Sequence, residues 1–370
     1  MARLNVQAST ATTIRIDGRE VLAFGGCNYL GLAHHPAVTG ALGAAAGLMG
    51  LSTTASRETT GNTVVHDALE EELAGFIGEE AAILLADGYT ANIAICQALS
   101  RDHGVALIDA RAHKSLRSAA SAAGIQVFEY EHLNPESAGW LAGQFADQGV
   151  LLLTDGVFAA DGAVAPVPEL LAVLPPRRAT LVVDDCHGVC VLGDRGQGTV
   201  GHFGVRDSRV VVTTTLAKGV GCYGGAVLGG RGVVQRVRDQ ADVYRRSTPI
   251  PTPIAAAARA AVRTVQSEPG LLDALRRNIG LVREGLLRLG VATHEEMIPI
   301  FTFTLDTPQR MEEVHKRLLA DGVYAPYIEY PGGPTPRFFR VTVTAAHGAE
   351  EIERLIAGFA RHMGPVAAST

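Results

Sequence analysis

The sequence predicts an α/β protein built on a doubly wound, mainly parallel sheet, and two observations carry that expectation. Short runs of continuous apolarity recur along the chain with helical stretches between them, and such runs mark strands buried on both faces. Two of the runs end in residues with chemistry: Asp184-Asp185-Cys186-His187 closes Leu181-Val182-Val183, and Lys218 closes the stretch that begins at Val210. Open α/β sheets hold their ligands at the carboxyl ends of such strands.

The runs fall at 81–86, 105–109, 126–131, 150–155, 180–185, 210–215 and 226–228, which predicts a seven-stranded sheet. A helix over 63–77 feeds the first of them, with Val65, Leu69, Leu73 and Phe76 on one face and Asp67, Glu70 and Glu71 pointing away. The uncharged stretch from Ala37 to Ser56 is long enough to cross a bilayer, but its Gly, Ala, Ser and Thr content predicts a buried helix and loop instead. After Pro249-Ile250-Pro251-Thr252-Pro253 the pattern changes to a long Ala-rich helix. Strand, helix, strand, strand and helix follow at 300–306, 311–319, 323–329, 339–344 and 350–362, an order expected of a smaller α+β domain. The expected division is an N-terminal segment over 1–35, a large domain over 36–260 and a small C-terminal domain over 261–370.

With 370 residues and 47% hydrophobic composition, the chain can bury a sizeable core. Its net charge of -6, with acids and bases interspersed, offers no basic stripe to a nucleic-acid backbone. The N-terminus lacks the apolar core of a secretory signal, so the cytoplasm is the expected compartment. Cys27, Cys96, Cys186, Cys190 and Cys222 are an odd set at irregular spacings, as expected of buried thiols in a reducing environment. No second Cys/His pair with zinc-site spacing follows Cys186, His187 and Cys190, so no metal is expected.

Lys218 alone would be an ordinary exposed lysine, but its neighbours change that reading. A lysine beside a cationic pyridine ring has its pKa lowered enough to attack a carbonyl or to act as a base. A facing carboxylate keeps a pyridine nitrogen protonated, and Asp184 supplies one. The pair therefore suits a Schiff-base lysine facing pyridoxal phosphate, whose ring is an electron sink. Gly219-Val220-Gly221-Cys222-Tyr223-Gly224 matches the spelling of a dinucleotide fingerprint, but the residues after it read as another strand, not as the helix that motif requires. Asp87-Gly88-Tyr89-Thr90-Ala91-Asn92 joins the first strand to a helix, where backbone N–H groups either cradle a phosphate or form a plain turn. His113, after the next strand, has the shape to stack on a planar ring or to serve structurally. Arg340, heading an alternating strand, is either a fork for a substrate carboxylate or a surface ion pair.

Taken in order, Asn28-Tyr29-Leu30-Gly31-Leu32, His66 to Leu73, Gly88 to Asn92, Asp184 to His187, Thr215 to Gly219 and Thr342 to His347 resemble the α-oxoamine synthases, fold-type I pyridoxal-phosphate enzymes. The resemblance runs from about Asn28 to His347. It implies that Lys218 forms the Schiff base, Asp184 pairs with the pyridine nitrogen, His187 bonds the ring hydroxyl and His113 stacks on the ring. It also implies that Gly88, Tyr89 and Thr215 hold the phosphate, that Thr248 reaches a partner subunit's cofactor in a homodimer, and that Arg340 and Asn28 bind substrate. The reaction implied condenses an amino acid with an acyl thioester, on coenzyme A or a carrier protein, usually with decarboxylation, to give an α-aminoketone. Two positions depart from the family's pattern: Cys27 stands where Asn is usual, and Ala159 where Ser is. They leave open another pyridoxal-phosphate reaction on an amino acid, such as that of an aminotransferase, aldolase or decarboxylase. A non-catalytic partner subunit is a further alternative, against which the retention of Lys218, Asp184 and His187 argues.

Overall fold

The computed structural model describes residues 4–330, 333 and 335–364; the outermost ends of the expected N-terminal segment and small domain lie outside the described residues. The chain divides into two compact units, Met1–His34 with Ala159–Ala163 and Pro269–Thr370, and His35–Phe158 with Val164–Glu268.

The larger unit is organised by a seven-stranded sheet. Its strands are β1 (Ala81–Leu85), β2 (Val105–Asp109), β3 (Gln126–Tyr130), β4 (Val150–Asp155), β5 (Ala179–Asp184), β6 (Val210–Thr215) and β7 (Gly225–Gly229), in the spatial order β1-β7-β6-β5-β4-β2-β3. Strands β2, β4, β5, β6 and β3 run parallel, and β7 is antiparallel to β6 and β1. The reversal at β7 follows from its connection. Residues 216–224 fold straight back, with Leu216 N–H donating to Gly224 O at 2.8 Å, and no crossover helix intervenes. Every residue of β2, β4, β6 and β7 is buried, which is why these strands read as unbroken apolar runs. Each fully buried Val or Leu among them contributes about 1.5–3 kcal/mol of hydrophobic stabilisation.

Helices α1 (Pro36–Met49), α2 (Val64–Ile77), α3 (Gly88–Leu99) and α4 (Lys114–Ala122) precede or link the first strands. Two expectations about them need correction. On α2, Glu70 is buried, not turned to solvent: its carboxylate pairs with Arg57 and its Oε1 accepts the Leu84 N–H at 2.9 Å. A buried carboxylate is stable only when so partnered, and hydropathy alone assigns it to the wrong face. The uncharged stretch at 37–56 does form α1, but of that helix only Val38 is buried, and Leu48 and Leu51 are 82% and 78% exposed.

The smaller unit carries a four-stranded sheet ordered Val6–Ser9, Thr13–Ile16, Arg19–Ala23, Val323–Tyr324, and a three-stranded sheet ordered Ile300–Phe303, Phe338–Thr342, Tyr327–Ile328. Helices Gly270–Arg288, Pro308–Ala320 and Ala349–Met363 accompany them. The single strand expected at 323–329 is two short ones in different sheets. Pro326 stands between them, and a proline cannot donate to a ladder. The three N-terminal strands were not foreseeable from apolarity, since Val6–Ser9 is exposed throughout.

Candidate active site

The site is built at the carboxyl edge of the seven-stranded sheet. Register sets Asp155 of β4 opposite Asp184 of β5, and Asp184 opposite Thr213 of β6. Side chains alternate between faces along a strand, so the adjacent acids Asp184 and Asp185 serve opposite sides. Asp184 meets α3: its Oδ2 accepts from Asn92 Nδ2 at 2.7 Å and its Oδ1 from the Cys186 N–H at 3.2 Å. Asp185 instead accepts from the Thr199 N–H and Oγ1, each at 2.6 Å. Burial pushes the Asp185 carboxyl up to about 6 against those two bonds. Gly188 and Gly198 close around it so tightly that a Cβ would lie 2.0 Å and 2.1 Å from its oxygens.

Lys218 is half-buried just beyond β6, and its Nζ lies 2.7 Å from His187 Nε2. His113 caps the N-terminus of α4: its Nδ1 accepts from the Ser115 N–H at 3.3 Å and lies 2.7 Å from Ser115 Oγ. A ring nitrogen that accepts a backbone N–H carries no proton, which assigns the His113 proton to Nε2. Burial lowers the pKa of this imidazole; the Asp184 carboxylate opposes the shift and Lys218 reinforces it. The larger unit thus brings Lys218, Asp184, His187 and His113 to one strand edge.

Four residues that the motifs did not single out complete this cluster. Thr213 Oγ1 donates to Asn92 Oδ1 at 2.6 Å, which orients the amide so that Nδ2 faces both Asp184 and Ser115 Oγ, the latter at 3.0 Å. Asp155 accepts the His113 N–H at 3.1 and 3.3 Å. The signal for Asn92 was present in the sequence: it shares a helical face with Cys96 and Leu99, all buried, and a polar side chain on such a face needs partners.

The phosphate candidates lie at the start of α3. Asp87 caps the helix by accepting the Thr90 N–H at 2.7 Å, which leaves the Gly88 and Tyr89 N–H groups among the first-turn donors that have no helical acceptor. A Cβ on Gly88 would come 2.9 Å from Thr215 Cβ and 3.2 Å from Cys186 Sγ, so only glycine lets α3 approach the strand ends this closely. Tyr89 is 46% exposed and Thr248 is exposed. Thr215 Oγ1 donates to Gly224 O at 3.1 Å and accepts the Ala217 N–H at 3.2 Å. A carboxylate, an amine, two imidazoles and a helix N-terminus on one edge form the donor set that a phosphorylated pyridine aldehyde requires.

Arg340 and Asn28 belong to the smaller unit. Asn28 Oδ1 accepts the Ala33 N–H at 3.2 Å and so fixes its own loop. Arg340 is buried; its Nε donates to Ala159 O at 2.7 Å, and Cys27 lies close enough to act electrostatically on its guanidinium. The two positions that depart from the family pattern therefore both adjoin Arg340. Burial, reinforced by Cys27, raises the pKa of the neighbouring Tyr29 hydroxyl. Among the described residues, no group of three or more His, Cys, Asp or Glu side chains could hold a metal ion, and no helix is long and apolar enough to cross a membrane.

Residues 19–359 match the family model for aminotransferase class I and II. The chain is 37% identical over 352 residues to an 8-amino-7-oxononanoate synthase of Thioalkalivibrio sulfidiphilus, covering 94% of this chain and 90% of that protein. It is 34% identical over 358 residues to the enzyme of the same name from Methylococcus capsulatus, covering 96% and 92%. Among solved structures, a serine palmitoyltransferase from Sphingomonas wittichii superposes with a TM-score of 0.91 at 27% identity, covering 97% of this chain and 92% of that one.

Proposed function

From the premise that the chain belongs to the α-oxoamine synthase branch of the aminotransferase class I and II family, we propose that Lys218, Asp184, His187 and His113 form the catalytic centre of this acyltransferase. The enzyme is pyridoxal-phosphate-dependent and condenses an amino acid with an acyl thioester to give an aminoketone. When bound, the cofactor supplies a ring that accepts electron density from the substrate Cα.

The residues of this chain supply the rest. Lys218 would hold the cofactor, and its Nζ would take the substrate Cα proton as a general base. His187, 2.7 Å from that nitrogen, orients it; this contact is the observation that carries the assignment. Asp184, braced by Asn92 and the Cys186 N–H, presents its carboxylate to the pyridine nitrogen. His113, neutral through burial, covers the ring. Gly88, Tyr89 and Thr215 take the phosphate. Arg340 binds the substrate carboxylate and Asn28 shapes the loop beside Tyr29, so Cys27 and Ala159, both against Arg340, bear on the choice of amino acid. The new C–C bond forms at the thioester carbonyl as its C–S bond breaks and the thiol leaves.

The working form is a homodimer to which Thr248 contributes across the interface. Support comes from the uncharged helix α1, which leaves Leu42, Leu48 and Met49 exposed, and from the exposed Leu51 and Val64 near it in sequence. The cytoplasm is the proposed compartment, consistent with five free cysteines.

The test is to incubate the holoenzyme with single amino acids, with and without acyl-coenzyme A, and to follow thiol release, alongside borohydride reduction and peptide mapping. Thiol release that needs both substrates and a pyridoxyl group on Lys218 are the expected results. An amino-acid reaction that proceeds without any thioester, or a label elsewhere, would overturn the assignment.

A further inference from the structure

The mechanism just given assigns no role to Asp155, the buried acid that lies next to Asp184 on the neighbouring strand. Asp155 is 5% exposed, ends β4, and lies beside Asp184 across the ladder. Its two oxygens accept only the His113 N–H among the bonds described, at 3.1 and 3.3 Å. That N–H precedes α4 and fixes the point from which the His113 side chain departs, while Ser115 fixes the ring from the other end. We propose that Asp155 is a positioning residue for the cofactor site: it holds the His113 backbone by hydrogen bonding and does so without adding a second negative charge beside Asp184. This rests on the functional reading above.

The charge half of the proposal follows from the surroundings. Two ionised carboxylates side by side in a buried site disfavour each other, and one of them keeps its proton. The groups that act on Asp155 come from every neighbouring element: Asp184 on β5, Asp109 on β2, Lys218 beyond β6, and the His113 N–H at the head of α4. Asp155 in turn acts on the Tyr130 hydroxyl of β3 and the Cys186 thiol beyond β5, raising the pKa of each. Asp184 and Asp109 favour the protonated form, Lys218 and the His113 N–H the ionised one, and burial outweighs them all in favour of the proton. Asp184 accepts from both the Asn92 amide and the Cys186 N–H, whereas the bonds described for Asp155 come from the His113 N–H alone. A neutral Asp155 still accepts a backbone N–H, so the positioning bond does not depend on its ionisation.

Asparagine is then a faithful replacement and alanine is not. Asp155→Asn is expected to bind pyridoxal phosphate within about threefold of the wild-type dissociation constant and to keep the visible spectrum of the bound cofactor across pH 6–9. Asp155→Ala, which loses one positioning hydrogen bond, is expected to weaken binding about tenfold. Asp155→Ser, too short to reach the N–H, stands in if the alanine variant does not fold. A third readout needs no cofactor. Because the folded state holds the Asp155 proton more tightly than the unfolded chain, the thermal midpoint of wild type relative to Asp155→Asn should fall as pH rises above about 4. The proposal is overturned if Asp155→Asn loses the cofactor as badly as Asp155→Ala, if the alanine or serine variant binds it like wild type, or if the midpoint gap does not change with pH. Failure of wild type itself to load pyridoxal phosphate on Lys218 would count against the functional reading instead, and the pH-dependent gap would still judge Asp155.

Discussion

Asn92 is the side chain whose removal should most clearly separate a preorganised cofactor site from a merely folded one. Its amide is fully buried and makes three contacts: it accepts from Thr213 Oγ1 at 2.6 Å and donates to Asp184 Oδ2 at 2.7 Å and Ser115 Oγ at 3.0 Å. Through Ser115 it also reaches the His113 ring. Asn92→Ala leaves Asp184 Oδ2 and Thr213 Oγ1 without these partners in a buried space. A hydrogen bond to a charged group contributes about 1.5–3 kcal/mol and each of the two to neutral groups about 1 kcal/mol, so the variant should lose roughly 3–5 kcal/mol of stability. If half of the Asp184 term is spent on holding the carboxylate in line with the cofactor, pyridoxal-phosphate affinity drops about tenfold. Asn92→Asp provides the sharper contrast. It keeps the shape but turns an oxygen toward Asp184, so it should bind the cofactor more weakly than the alanine variant at pH 8 and recover on acidification, as the new carboxyl takes up a proton. Urea denaturation and titration of the apoenzyme with pyridoxal phosphate measure both quantities. An Asn92→Asp variant that binds as well as wild type at pH 8 would refute the reasoning, because an ionised carboxylate there cannot donate to Asp184.

Asp185 predicts a pH dependence of stability with a definite sign. Its carboxyl is held at about 6 in the fold and near 3.9 in an unfolded chain, so the folded state retains the proton longer. The stability this contributes is present below about pH 4 and lost as pH rises through about 6, a change of about 3 kcal/mol. Urea midpoints of wild type and Asp185→Asn across that range should therefore diverge; parallel curves would contradict the assignment. The exposed face of α1 predicts assembly: Leu48→Arg, at a position 82% exposed in the single chain, should shift sedimentation from dimer to monomer and reduce cofactor retention. A wild-type protein that sediments as a monomer would end that proposal.

The sheet was legible because most of its strands are buried on both faces, so hydropathy marks them within a residue or two; the edge strand β3, with Gln126 and Glu129 exposed, is less apolar than that reading expects. The position of Lys218, Asp184 and His187 at one sheet edge was legible because each lies at or just past the end of such a run. The limits have equally physical causes. Exposed strands such as Val6–Ser9 carry no apolar signature. Glu70 looks like a surface residue until Arg57, distant in sequence, is seen to pair with it. The surface of α1 reads as core because it is apolar, although within one chain little of it is covered. Asn92, Ser115 and Asp155 are tied to the cluster by hydrogen bonds to residues far along the chain or across the sheet, and such partnerships are set by register and helix placement that no local pattern records.

Register also explains why two adjacent aspartates cannot exchange roles. Residues 184 and 185 point to opposite faces of one strand, so Asp184 enters the cluster with Asn92, His113 and Lys218, while Asp185 ties down the loop that begins at Cys186 and ends at Thr199. That loop carries His187, the neighbour of Lys218 Nζ. In the proposed site, Asp185 would therefore act through the position of His187, and Asp184 directly. Shifting β5 by one residue against β4 and β6 would present Asp185 to α3, break both Thr199 bonds and move His187 away from the lysine. The site depends on the register of β5 as much as on the identity of the residues that end it.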